Sequence, residues 1–188
     1  MKTMRSATGV LTFLICLIIT GCAQMPNELR SPASVDVVTD YTSLVTLSKG
    51  PSTDVATARL GGVIASIDNQ ATQTRLVLVS LPIERGGRPD ISHEPQGRFV
   101  VYVNQFLDPI AYHKGRLLTV LGTSKGTESI RVGEHSQSVP VIHAQGVHLW
   151  TIKQRVLIDG IAPLMSTCRG WMCPYMRPSN GQIIKTVE

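Results

Sequence analysis

From Thr57 onward the chain is written in short apolar alternations punctuated by glycine and turn residues. That pattern belongs to strands and leaves no room for a helical bundle. Leu60-Gly61-Gly62-Val63-Ile64-Ala65-Ser66-Ile67 reads as a strand with a bulge or a close backbone approach at its paired glycines. Asp68-Asn69-Gln70-Ala71 is a turn. Thr74 to Ile83 is the strongest strand: alternation puts Leu76 and Leu78 on one face and Val77, Val79 and Leu81 on the other. Further strands are expected at Arg98–Val103, at Arg116–Gly122 and at Val139–Ile152, the last bent at Gly146. Residues 123–137 suit a hairpin turning near Gly126 or Gly133.

Strands at this spacing, without intervening helices, imply an all-β sandwich or a small barrel. A partly open five-stranded barrel, like the oligonucleotide-binding fold, fits the count, and periodicity alone leaves the sandwich open. Upstream, residues 35–48 are ambiguous: Val37, Val38, Tyr41, Leu44, Val45 and Leu47 approximate the stripe of a short N-terminal helix, against a high β-branched content.

The first residues place constraints of another kind. Lys2 and Arg5 precede an apolar run from Val10 to Ile19, and no acidic residue occurs before Cys22. This is the layout of a secretory signal, and the run falls short of the roughly 20 residues that span a bilayer. Ile19-Thr20-Gly21-Cys22 resembles the lipobox of bacterial lipoproteins. The resemblance implies cleavage after residue 21 and acylation of Cys22, through which the protein would contact membrane lipid. The residue after the cysteine is Ala23 rather than an aspartate, which favours delivery to the outer membrane.

The expected layout is therefore a signal at 1–21, a linker at 22–34, a β domain at 35–158 and an irregular tail at 159–188. The linker is polar and carries Pro26 and Pro32. The tail is assigned as irregular because Pro163, Pro174 and Pro178 cannot donate to a strand ladder. Losing Lys2 and Arg5 with the signal leaves 16 basic against 13 acidic residues, an excess too mild to demand a polyanionic partner. Cys16 departs with the signal, so Cys168 and Cys173 are the remaining thiols, and an oxidising compartment favours a local disulfide between them.

Candidate chemistry is sparse. Gly122-Thr123-Ser124-Lys125-Gly126 matches G-x-S-x-G, and Glu128 or Glu134 and then His135, His143 or His148 follow in the order a hydrolase triad needs. That motif works only on a strand-to-helix elbow, whereas the surroundings here are β, so a solvent loop is the better expectation. The five histidines lack metal-ligand spacing, and no metal or cofactor is expected. Nucleic acid is set aside as a partner, because the few aromatics are not interleaved with a basic stripe. The long loop from Glu84 to Gly97 carries Arg85, Arg88, Asp90, His93 and Glu94, and reads either as a recognition loop or as a solvated excursion.

The run Gly97-Arg98-Phe99-Val100-Val101-Tyr102-Val103 leads into Phe106-Leu107-Asp108-Pro109, Tyr112-His113-Lys114-Gly115-Arg116 and Thr119-Val120-Leu121-Gly122-Thr123. Together with Arg59-Leu60-Gly61-Gly62-Val63-Ile64 before it and Gly146-Val147-His148-Leu149-Trp150 after it, this resembles the Slp family of outer-membrane lipoproteins over roughly residues 36–155. The resemblance implies a periplasm-facing, lipid-anchored outer-membrane protein, linked to starvation or stress, with no established biochemical activity. Its expected partner is an envelope protein or a cell-wall or lipopolysaccharide component. The tail departs from the family in being shorter and in holding two cysteines.

Overall fold

The structure, a computed structural model, describes residues 24–49, 56–158 and 181–188. After a 3-10 turn at Asn27–Leu29 come β1 (Val37–Val38), α1 (Tyr41–Lys49), β2 (Thr57–Asn69), β3 (Thr74–Leu81), β4 (Gly97–Val103), β5 (Leu117–Val132) and β6 (His135–Trp150). The chain ends in β7 (Ile152–Ile158) and β8 (Gly181–Val187). The all-β expectation holds, and the short helix stands where the apolar stripe placed it. Asp40 caps it by accepting the Ser43 amide at 2.7 Å.

Strand pairing runs β2–β3–β4–β6–β5 and returns from β5 to β2, so the main sheet curls into a partly open ring. Every contact in the ring is antiparallel except β4–β6, which is parallel and rests on three positions, Val100↔Val141, Val101↔Ile142 and Tyr102↔His143. Beyond them the two strands part. Alternation fills the interior with Leu60, Ile64, Leu76, Leu78, Phe99, Val101, Leu118, Val120 and Ile142. Tyr41 and Leu44 of α1 and Leu107 of the β4–β5 loop join that core. Tyr41 also donates its hydroxyl to the Arg98 carbonyl at 3.0 Å.

The outward faces are apolar as well, because each is covered. β5 and β6 run past the ring as a long hairpin that turns at Gly133, whose φ of +61° suits glycine. A register shift between Ser124 and Thr127 bends this arm, with Gly126 inside the bulge rather than at the turn. Ile130 and Val139 of the arm then pack on Val77 and Val100. The second outer face gathers Leu81, Leu117, Leu121 and Trp150 under Leu29 from the N-terminal segment and Val187 from β8.

Two expected boundaries need correction. The supposed linker is part of the domain, since Leu29 is fully buried in that second cluster. The tail is not irregular throughout: β8 pairs antiparallel with β7 from Ile152↔Val187 to Ile158↔Gly181. The prolines that argued against strand structure all lie before residue 181, so β8 itself is free of them.

Candidate functional site

The candidate surface is the one on which the first described residues, 24–29, pack against the ring. Cys22 itself, like Cys168 and Cys173, lies outside the described residues. Three residues on, Met25 already packs against the Leu29 cluster. The Leu29 carbonyl accepts the Arg59 Nε–H at 2.8 Å, and Glu28 pairs through Oε1 with His148 Nδ1 at 2.7 Å. That hydrogen bond is the first cause holding the Glu28 carboxyl below the ordinary carboxylate range. The Glu28 main chain crosses β6 directly over Gly146, where any Cβ would overlap the Glu28 carbonyl. Gly146 is thus required by a close approach of two backbones, and a strand glycine is the sequence signal for one.

The β3–β4 loop is recessed over residues 86–90 and solvent-exposed over residues 91–96. It folds back on itself through the Ile83↔Pro89 bridge and a bond from the Glu84 amide to the Arg88 carbonyl at 2.8 Å. Gly86, Gly87 and Pro89 are buried. The Gly87 carbonyl accepts the Thr119 hydroxyl at 2.6 Å, and Thr119 Oγ1 in turn accepts the Trp150 indole N–H at 2.9 Å. Of the residues singled out for recognition, Arg85, His93 and Glu94 are exposed, whereas Arg88 and Asp90 are half-buried. Asp90 serves the loop itself, accepting the Ser92 amide and hydroxyl and pairing with His93 Nδ1 at 2.7 Å. Those Ser92 hydrogen bonds are the main reason its carboxyl sits below the usual range.

Ser124 belongs to β5, not to an elbow or a solvent loop. It is paired opposite Ile142 and is nearly buried. Its Oγ faces the Ser48 hydroxyl of α1 at 3.5 Å. Of the acids and bases that follow it, Glu134 and His135 stand exposed at the tip of the β5–β6 arm, and Glu128, His143 and His148 are engaged elsewhere. Glu128 accepts both Arg75 Nε–H and Nη2–H, at 3.1 and 2.5 Å, and the Tyr102 hydroxyl at 2.9 Å. His148 is held by Glu28, and His143 stacks on Tyr102 with ring centroids 5.5 Å apart. This arrangement ties the β5–β6 arm to β3 and β4; it does not assemble a nucleophile with its base.

His143 carries a pH consequence. Burial first, and the like charge of Lys125 second, hold its pKa below the ordinary 6.5. The neutral ring is therefore favoured by folding, so its contribution to stability is complete above about pH 6.5 and declines as pH falls below that value. NMR titration should place the His143 midpoint under 6.5, and Lys125→Ala should move it part of the way back. A midpoint at or above 6.5 would contradict the assigned surroundings.

Comparison with known proteins identifies the family. The family model described as "Outer membrane lipoprotein Slp family" matches residues 19–179. The chain is 30% identical over 170 residues to "Uncharacterized lipoprotein YeaY" of Escherichia coli (strain K12), covering 89% of this chain and 84% of that one. It is 26% identical over 186 residues to "Outer membrane protein Slp" of the same organism, covering 96% and 97%. An uncharacterized protein of Haemophilus influenzae is 30% identical over 139 residues, 73% of each chain. No solved structure matches. The match spans the lipobox, the ring and the arm together, and the chain belongs to the Slp family of outer membrane lipoproteins.

Proposed function

We propose that this protein is tethered to the periplasmic side of the outer membrane by acyl chains on Cys22, and that it acts there as a non-catalytic module of the envelope stress response. The observation that carries the reading is the docking of residues 25–29 onto the ring. A chain spans at most about 3.3–3.6 Å per residue, so Met25 lies within roughly 10 Å of the Cys22 backbone. Two or more acyl chains on that cysteine would give stable anchoring, and the domain would ride directly on the bilayer with no flexible stalk. An envelope protein or cell-wall component would then meet the outward charges of the β3–β4 loop, Arg85, His93 and Glu94.

Membrane fractionation with intact-mass analysis tests the anchor. The wild type should appear as an acylated mature species in the outer-membrane fraction, and Cys22→Ala should lose both the added mass and the fractionation. An unmodified, freely soluble mature wild type would defeat the proposal.

A further inference from the structure

The two most exposed large apolar side chains among the described residues sit on one short, braced loop. Phe106 is 71% exposed and Ile110 is 85% exposed, both in the segment joining β4 to β5. The loop is held firmly around them. Leu107 is buried in the ring core, and its amide donates to Thr74 Oγ1 at 3.1 Å. Asn69 Nδ2–H donates to the Leu107 carbonyl, and Thr74 donates its hydroxyl to the Gln105 carbonyl. Asp108 closes a turn by accepting the Ile110 amide at 2.8 Å on its carboxylate and the Tyr112 amide at 2.9 Å on its carbonyl. Backbone this well fixed does not collapse to hide Phe106 and Ile110, so both are held out into solvent at a cost a lone surface residue would not incur.

The loop also lies near the segment that leads back to Cys22. Gln105 and Gly146 line the same cleft, where β4 and β6 part, and Gly146 is the residue crossed by Glu28. Glu28 is six residue steps from Cys22, a reach of at most about 20 Å. Exposed Lys114 follows the pair in the same segment, as does half-buried Arg116, whose guanidinium donates to the Ala111 and Trp150 carbonyls, and the loop's own carboxylate, Asp108, is used by the turn. Apolar side chains flanked by cations match the boundary of a phospholipid leaflet, with hydrocarbon below and phosphate above.

We propose that the Phe106–Ile110 loop inserts into the headgroup region of the leaflet that holds the anchor, so that the protein touches the membrane at a second, non-covalent point. This rests on the Cys22 reading above. The test uses the full mature protein carrying Phe106→Trp, reconstituted in vesicles of phosphatidylethanolamine and phosphatidylglycerol with brominated acyl chains. Intact mass of the same sample reports acylation separately, so loss of the anchor and loss of insertion are told apart. In the acylated protein the emission difference between the Phe106→Trp form and the wild type, which cancels Trp150 and Trp171, should shift to shorter wavelength than in detergent-free buffer and be quenched by the bromines. The unacylated Cys22→Ala form should still bind the vesicles weakly, and Phe106→Ser should lower that binding by about tenfold. An acylated protein whose introduced indole stays water-exposed and unquenched would overturn the proposal. So would a blue shift without bromine quenching that grows with protein density, which would mean that a second copy covers the loop.

Discussion

Truncating Leu29 to alanine should lower the unfolding free energy by about 2–5 kcal/mol, the range for a fully buried leucine whose surroundings cannot collapse into the gap. The surroundings are well defined. Leu29 is wholly shielded from solvent and shares its cluster with Leu81, Leu117, Leu121, Trp150 and Val187. Its Cδ1 also approaches Gly87 to 3.2 Å of where a Cβ would be. These neighbours come from β3, β5, β6, β8 and the β3–β4 loop, so they are fixed by strand pairing and have little freedom to fill a hole. A flexible tether would respond quite differently: a surface substitution away from structural features stays within about 0.5 kcal/mol. Urea unfolding of the variant distinguishes the two. A large loss with faster amide exchange at Arg30, whose N–H bonds to the Asn27 carbonyl, would establish the segment as part of the domain. A change below 0.5 kcal/mol would return residues 24–34 to the role of linker and remove the main support for a bilayer-hugging domain.

That segment also shows where sequence reading succeeds and where it stops. Leu76 and Leu78 could be assigned to one face and Val77 and Leu81 to the other, because strand alternation is local. Knowing that both faces would be buried was not local. Val77 needs an arm whose tip is more than 50 residues away, and Leu81 needs an N-terminal segment that looks, by composition, like a spacer. One buried leucine among polar residues and prolines has no period to reveal it. Gly146 carries a usable signal, since a glycine inside a strand marks a bulge or a close approach; the sequence alone suggests a bend, and the structure gives it as the crossing point of Glu28. β7 and β8 were illegible for a related reason. Each offers a weakly apolar run whose partner lies across 22 intervening residues, and a two-stranded ribbon has little apolar burial to betray it.

The candidate site divides along the same line. The Cys22 reading rests on the N-terminus alone, because a lipobox is read from chemistry in sequence order, and it stands as a proposal. The β3–β4 loop was legible as long and charged, but its attachment to the ring includes one hydroxyl of β5 meeting one carbonyl of the loop, a pairing between residues 32 apart. Ser124 shows the converse: its motif was visible, and its environment, inside a strand and under α1, makes the motif incidental.

Thr119 gives the sharpest test of how the loop, the ring and the anchor segment are joined. Its side chain is fully buried on the outer face of β5, where it donates to the Gly87 carbonyl and accepts from the Trp150 indole. Thr119→Val keeps the shape and deletes the hydroxyl, leaving one buried acceptor and one buried donor unpaired. Each orphaned group costs about 1–3 kcal/mol, so a loss of about 2–5 kcal/mol is expected. Thr119→Ser keeps both hydrogen bonds and gives up one methyl group, for which a loss nearer 1 kcal/mol is expected. The contrast matters more than either value, because it separates the polar chain from the packing. Near-UV circular dichroism should follow the same order, since Trp150 is nearly buried and its indole is fixed by this bond. If Thr119→Val were as stable as Thr119→Ser, water would be reaching Gly87 and Trp150. The β3–β4 loop would then have to be an opening flap. If the contrast holds, the loop is locked to the ring, and the charges at Arg85, His93 and Glu94 are presented from a rigid support.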